Sequence, residues 1–427
     1  MERSIFDKAR KWICFNARPI ERARFRYLFE NGSREAVLAA LAEYQNEDGG
    51  FGHALEADCF NPTSSPVQTW AATEILNEIG LSEGHPIIRG ILAYLDSGKD
   101  FNGKFWLNTV PTNNDYPHAP WWTYNSKNHN AINYNPTAAL ASFALRFAAK
   151  NSSLYQKCYA ITKEAIQYLQ NTDNGAEMHL LACYVRMTEY CHQAGLTEEL
   201  QIVAVEKLLV EKVKKALTWD RELWETNYVC KPSNFFTNKE SFLYQHFAEL
   251  AQYECEFIRN TQLPDGTWTV NWQWGGYPEE WCLAKNWWKA HLIIMNLKFL
   301  QEINGELPVK KPPIRKLYCI NLHTAQIEKM KSFYHDLLEI PITFPGYNNE
   351  LDGIKFGFDA DSLQICLWKE EYWGKGKGPV EIAVRGNLEA IVQRLEEKQY
   401  QNFKLLHESY GDCLIIHDPD GNQLTIM

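Results

Sequence analysis

From about residue 5 to residue 302, apolar positions recur at spacings of three and four with polar turns between them, the period of helices that bury one stripe. The pattern is clearest over 34–46, 67–79, 87–95, 137–149, 155–170, 180–191, 203–217, 239–261 and 281–303. The opening segment, MERSIFDKARKWICF, reads as an amphipathic helix and lacks the apolar run of a signal peptide. No stretch in this part alternates with period two. It is therefore expected to be all-helical over 1–303, with long polar and aromatic connections at 99–135 and 219–238.

The pattern breaks at 304–316, NGELPVKKPPIRK, where three prolines and four Lys/Arg cannot continue a helix and read as a linker. Beyond it the period changes. Strands are expected at 317–322, 341–345, 353–358 and 363–369, with a helix over 326–338. The order then repeats, with strands at 380–385, 403–407, 412–416 and 422–427 and a helix over 388–398. Two β-α-β-β-β units of about 55 residues make the C-terminal part, 317–427, an α+β domain. The fold class is thus multidomain, an all-α region followed by an α+β domain.

Composition adds one unusual number, an aromatic fraction of 13% with 15 Trp and 21 Tyr. Rings in that quantity either fill a large helical core or line a cavity for ring-bearing and apolar ligands. A net charge of −10 argues against nucleic acid as a standing partner. No apolar run is long enough for a membrane span. The eleven cysteines contain no CxxC pair and read as reduced thiols, so a cytoplasmic protein is expected.

The helical part echoes itself. Gln45-Asn-Glu-Asp-Gly-Gly-Phe-Gly52 matches Gln262-Leu-Pro-Asp-Gly-Thr-Trp268, with a weaker copy at Gln170-Asn-Thr-Asp-Asn-Gly175. In each, Asp and Gly make a turn after a helix and the aromatic plugs the gap to its neighbour. These motifs resemble the repeats of α/α-toroid proteins, the squalene/hopene cyclases and protein prenyltransferase β subunits. The resemblance covers roughly 30–302 and implies helix pairs in a closed ring around a cavity. It does not carry those families' activity. No Asp-x-Asp-Asp acid or Asp-Asp-x-x-Asp site occurs, and Asp58-Cys59 are adjacent where the zinc-binding Asp-x-Cys has a spacer.

Three clusters hold the candidate chemistry. In His53-Ala-Leu-Glu56-Ala-Asp58, a helical backbone would make His53 and Glu56 i,i+3 neighbours, an acid/base pair or two metal ligands; the alternative is capping of the next helix around Asn61-Pro-Thr. Asp115-Tyr-Pro-His118-Ala-Pro-Trp121-Trp122, followed by Asn128-His129 and Asn135, places rings beside carboxylate, imidazole and amides. That suits a carbohydrate or another ring-bearing polar ligand, or else a rigid loop sealing the barrel. Trp272-Gln-Trp274 through Trp281, then Lys285, Trp287 and Trp288, is the expected wall of a central pocket. Glu279 and Glu280 open a helix there. Gly98–Phe105 has a phosphate loop's glycines but lacks its Ser/Thr, and Gly374–Gly378 reads as a hairpin connection.

In the C-terminal part, Ser332-Phe-Tyr-His-Asp-Leu-Leu338 and His417-Asp-Pro-Asp-Gly-Asn422, with the doubled order, resemble the vicinal-oxygen-chelate superfamily of glyoxalase I, extradiol dioxygenases and bleomycin-resistance proteins. The family's four ligand positions fall on Cys319, Cys366, Glu381 and Thr425. That set is awkward for a hard catalytic ion, so no cofactor is expected. What remains is a sheet used as a cup, with Cys319, Asn321 and His323 inside, Glu381 beside them, Trp368, Tyr372 and Trp373 at the mouth, and a homodimer through this domain as the implied partner. The expectation for the whole chain is an enzyme acting on an apolar or ring-containing small molecule in the toroid cavity, with His53, Glu56, Asp58, Asp115 or His118 as acid/base. The alternatives are a non-catalytic binding or resistance-type protein and a structural scaffold.

Overall fold

In a computed structural model the chain divides into two units, Met1–Pro308 and Val309–Met427. The described residues are 2–80, 84–128, 131–172, 177–305, 314–331, 335, 341–344, 353–356, 364–369, 371, 381–386, 388–397, 401, 403–408, 411–417 and 423–427.

The first unit is helical, with only isolated β-bridges among its described residues. Its helices are α1 (Glu2–Asn16), α2 (Pro19–Phe29), α3 (Arg34–Ala42), α4 (Pro66–Glu78), α5 (Pro86–Ser97), α6 (Thr137–Phe147), α7 (Ser153–Asn171), α8 (Met178–Gln193), α9 (Ile202–Ala216), α10 (Tyr244–Asn260) and α11 (Pro278–Asn304). Pro at the first turn starts four of them, where its missing N–H costs nothing. Ser33, Ser65 and Ser152 cap α3, α4 and α7. The helix expected from 239 begins at 244, because Asn238 and Ser241 side chains take the backbone N–H groups of 240, 241 and 243 into turns.

Packing runs from helix to helix in a circuit. Helix α4 packs on α6, α6 on α8, α8 on the short 3-10 turn Pro232–Asn234, that turn on α10, α10 on α11, and α11 on both α1 and α2. Between α2 and α4, Arg24 is paired with Glu78 and the Tyr27 hydroxyl donates to the Ile79 carbonyl at 3.2 Å. Residues 137–145 of α6 are buried on every side.

The Gln-Asp-Gly turns fasten neighbouring helices. Gln45 Nε2 donates to Gly49 O at 2.9 Å and to Ile87 O, in the first turn of α5, at 3.2 Å. Gln262 Nε2 repeats this, donating to Gly266 O at 3.1 Å and to Ile5 O of α1 at 2.9 Å. Gly98–Phe105 is a related turn. Trp106 N donates to Thr137 Oγ1 at the head of α6, as Phe51 N donates to Thr69 Oγ1 in α4. The weaker echo at 170–175 lies partly outside the described residues.

A stripe of polar and ring side chains explains what the innermost helices face. Helix α4 has no exposed position, yet Trp70, Glu74 and Asn77 remain partly accessible at spacings of four and three. The same holds for Ala182, Arg186 and Glu189 on α8, and for Trp288, His291, Met295 and Lys298 on α11. These half-buried positions carry paired charges: Arg186 bridges to Glu74 and Glu189, and Lys298 reaches Glu78.

The second unit holds one eight-stranded sheet in the order β2-β3-β4-β1-β5-β8-β7-β6. The strands are β1 (Ile314–Thr324), β2 (Ile342–Phe344), β3 (Gly353–Phe356), β4 (Gln364–Lys369), β5 (Glu381–Gly386), β6 (Phe403–Glu408), β7 (Gly411–His417) and β8 (Gln423–Ile426); the helices are α12 (Ile327–Lys331) and α13 (Leu388–Glu397). The order is a mirrored repeat in which the two units meet at the antiparallel β1–β5 pair. Each half buries its helix in the same way. Ile327 packs with Ile354 and Leu367, and Ile391 packs with Leu414 and Ile426. Residues 314–316, read as linker, belong to β1, and 306–313 lie outside the described residues.

Candidate functional site

The backbone of 53–59 is not helical. His53 and Ala54 both adopt left-handed conformations, with φ of 57° and 59°, which non-glycine residues hold only where the surroundings enforce them. Arg18 supplies part of that enforcement: its Nη1 donates to Ala54 O at 2.6 Å, while its guanidinium is paired with Glu21. The expected i,i+3 pairing of His53 with Glu56 therefore does not form. His53 is exposed and its Nε2 donates to Asn46 Oδ1 at 2.9 Å. Nor does the cluster cap the next helix, since Ser65 caps α4 and Asn61 is bonded to Thr63, Thr112 and Asn113.

The turn instead sends Glu56 and Asp58 inward together. Glu56 Oε2 accepts from the Asp58 backbone N–H at 3.1 Å. Asp58 is 3% exposed, and its Oδ1 accepts from two indoles, Trp274 Nε1 at 2.8 Å and Trp288 Nε1 at 2.7 Å. The Asp58 carbonyl is fixed by Ala119 N at 2.8 Å, pairing 58–60 with 117–119. Two further buried indole N–H groups, on Trp272 and Trp122, have no hydrogen bond of normal geometry among the described residues but lie close to Asp58 and Glu56 respectively.

Burial pushes the Asp58 carboxyl up to about 6, against the pull of the Trp274, Trp288 and Trp272 indoles, which favour its charged form. Burial raises Glu56 further above the carboxylate range, and the neighbouring Asp58 charge adds to that; the Asp58 amide, Trp122 and Arg18 oppose it. The two titrate as a coupled pair. Of the two, Glu56 is driven further toward its neutral form, while the indoles favour the charged form of Asp58.

Aromatic rings surround the pair. Trp272 stands perpendicular to Trp288, with centroids 5.1 Å apart, and Tyr228 meets Trp272 edge-on at 5.4 Å. Phe60 and Trp281 pack on Trp274, and Arg18 lies over the Trp287 ring at 4.6 Å. The structure thus brings Glu56, Asp58, Trp122, Trp272, Trp274, Trp281 and Trp288 into one neighbourhood. The other expected residues are elsewhere or otherwise engaged. His118 has both ring nitrogens occupied, Nδ1 by the Tyr116 carbonyl at 2.6 Å and Nε2 by Thr123 Oγ1 at 3.0 Å. Because a carbonyl can only accept, Nδ1 carries the proton and Nε2 accepts from the threonine, which leaves no lone pair for catalysis. Asp115 and Trp121 are exposed. Asn135 accepts from Cys183 Sγ at 3.4 Å. His129 lies outside the described residues.

Arg18, Tyr228 and the charged stripe of the inner helices had escaped the sequence reading. The signal was present as Arg18, Glu21 and Arg24 at spacings of three on α2, and Glu74 and Glu78 at four on α4. Such spacings ordinarily mark a solvated face; here these side chains are buried or half-buried and paired.

On the C-terminal sheet, Cys319 and Cys366 are buried with Ala383 in an apolar cluster that Trp368 and Met427 cover. Asn321 Oδ1 is occupied by Trp368 Nε1 at 2.8 Å. Buried thiols in such a cluster do not fit a hard divalent ion, and the described residues contain no group of three His, Cys, Asp or Glu able to hold one. The Glu381 side chain, Tyr372 and Trp373 lie outside the described residues, and the backbone of Glu381 pairs with Asn321.

No family model matches the chain, and no curated protein matches it. Among solved structures it is similar to a glyoxalase/bleomycin resistance protein/dioxygenase superfamily member from Vibrio splendidus 12B01, at 18% identity over 26% of this chain and 96% of that one, with a TM-score of 0.22. Methylmalonyl-CoA epimerase from Mycobacterium tuberculosis matches at 17% identity over 27% of this chain and 87% of its own, with a TM-score of 0.23. Lactoylglutathione lyase from Agrobacterium tumefaciens matches at 12% identity over 26% and 91%, with a TM-score of 0.12.

Proposed function

We propose that the first unit is an α/α toroid whose interior binds a small molecule, and that Glu56 and Asp58 act on it as a general acid and a general base. The observation that carries this reading is the carboxylate pair itself, two buried acids joined through the Asp58 amide and held in unequal surroundings within a ring of indoles. Pairs whose environments push their proton affinities apart are the usual basis for simultaneous acid and base work. The circuit of helix contacts and the matching Gln45 and Gln262 staples support the toroid. In this assignment the Trp274 and Trp288 indoles position Asp58 and keep Oδ2 turned to the ligand. Glu56, protonated, gives its proton to a leaving or carbonyl oxygen.

The second unit is assigned the role of a cup of vicinal-oxygen-chelate type, a ligand-binding or dimerisation module, on the strength of its mirrored β-α-β-β-β repeat. No cofactor is assigned to either unit.

The test is to incubate the full chain with a cell extract and follow small molecules by mass spectrometry, beside Asp58→Asn and Glu56→Gln. A species consumed by the native protein and spared by both variants supports catalysis at this pair. A species retained in stoichiometric amount but unchanged supports the binding-protein alternative. Equal consumption by all three proteins sinks the reading.

A further inference from the structure

The charges facing the interior do not balance at one end. Along α2, α4, α8 and α11, Arg18 is paired with Glu21, Arg24 with Glu78, and Arg186 with Glu74 and Glu189, while Lys298 approaches Glu78. Four cations thus meet four glutamates. Glu56 and Asp58 stand outside that set, and neither forms an ion pair among the described residues. An unpaired carboxylate enclosed by low-dielectric walls attracts positive charge far more strongly than the same group would in water.

The surroundings say which kind of cation fits. Asp58 Oδ1 is already saturated by two indoles. Asp58 Oδ2 and Glu56 Oε1 take no hydrogen bond of normal geometry among the described residues. With the Trp272 and Trp122 indoles also close to the pair, it offers too few oxygens for a hard metal ion that needs six or more. The remaining surface is aromatic. Trp272 and Trp288 form a right-angled corner, with planes at 80°, and Tyr228 continues it at 72° to Trp272. Electron-rich ring faces stabilise organic ammonium groups. Arg18 over Trp287 shows the same chemistry within the protein.

We infer that the ligand of this site carries a positively charged nitrogen, protonated or quaternary, seated between the Glu56–Asp58 carboxylates and the corner made by Trp272, Trp288 and Tyr228. This rests on Glu56 and Asp58 being the ligand site, as proposed above, and adds the ligand's charge class. It also sets aside a purely hydrocarbon ligand, because eight charged side chains along the same interior would lose hydration against it.

The probe pair is choline and its neutral isostere 3,3-dimethyl-1-butanol, titrated into the full chain by calorimetry at constant ionic strength. Choline is expected to bind about tenfold more tightly than the alcohol. Asp58→Asn, with native-like folding checked by circular dichroism, is expected to abolish that preference, and Trp272→Ala to weaken choline binding. Equal binding of the two probes, or binding of neither, overturns the inference. In both cases the acid–base reading is still decided separately by the extract experiment, which does not depend on the ligand's charge.

Discussion

Gln262 Nε2 donates to the carbonyl oxygen of Ile5 at 2.9 Å, tying the last repeat turn to the first helix across 257 positions of sequence. The contact matches, atom for atom, that of Gln45 with Ile87. The glycines agree as well. A Cβ on Gly49 would lie 2.0 Å from Gly90 O, three residues beyond Ile87, and one on Gly266 would lie 2.5 Å from Lys8 O, three residues beyond Ile5. Helix α1 therefore stands to the last turn as α5 stands to the first.

Two substitutions test that junction. Gly266 has φ of +93° and its missing Cβ faces the α1 backbone, so Gly266→Ala is strained both in its own conformation and in its contact. It is expected to cost more than about 2 kcal/mol. Gln262→Ala removes two hydrogen bonds and should cost about 1–2 kcal/mol. Urea unfolding measures both. Losses as large for Gln45→Ala would show the two staples to be equivalent, whereas no loss for either glutamine would refute a joining role.

How far these features could be read beforehand depends on which forces set them. The helices were legible because one apolar stripe each meets a core, and the sheet because its two halves repeat the same order around Ile327 and Ile391. The turn at 53–58 was not, because its left-handed His53 and Ala54 are imposed by the distant Arg18 and not by local propensity. Glu56 and Asp58 were named for their types, but a false helical spacing linked Glu56 to His53. The partners that matter, Trp274 and Trp288, lie more than 200 positions away. His118 looked catalytic by type, and only its two hydrogen bonds reveal a structural role.

The buried Asp58 carries a stability consequence of definite sign. Its folded value of about 6 lies above the ordinary 3.8, so between these limits the folded state holds more protons than the unfolded chain. Stability from this group falls as pH rises from about 4 to about 6 and is flat above, a loss of about 3 kcal/mol at neutral pH. Asp58→Asn keeps an oxygen for the indoles and removes the charge. It is expected to unfold at higher urea than the native protein at pH 7, with the gain shrinking toward pH 4. A variant less stable than the native protein at pH 7 would contradict the assigned cost.

The indole contacts act on the same group in the opposite direction. Trp288 Nε1 bonds the charged carboxylate, so Trp288→Phe removes a donor while keeping a ring. The Asp58 midpoint is expected to rise by about one unit. It can be followed by the pH dependence of the remaining tryptophan fluorescence or by carboxyl carbon chemical shifts. Trp274→Phe should shift it the same way. An unmoved midpoint in both variants would mean that burial alone sets the value.

Glu78 reverses the sign. Burial alone would raise its carboxyl, but Arg24 and Lys298, with smaller help from the Arg24 hydrogen bond and His291, more than offset it and hold the group at about 2 against 4.5. A depressed carboxylate contributes stability above its unfolded value and loses it as pH falls through the folded one. That contribution, about 3 kcal/mol, should therefore disappear between roughly pH 5 and pH 2. Glu78→Gln leaves Arg24, 7% exposed by its side chain, without its counter-ion, and such uncompensated buried charge costs about 3–5 kcal/mol. Urea unfolding across this pH range is expected to show a large deficit at pH 7 that narrows in acid, where the native Glu78 is itself neutralised. A deficit independent of pH would mean that Glu78 acts through packing and shape, and that the α2–α4 seam does not depend on its charge.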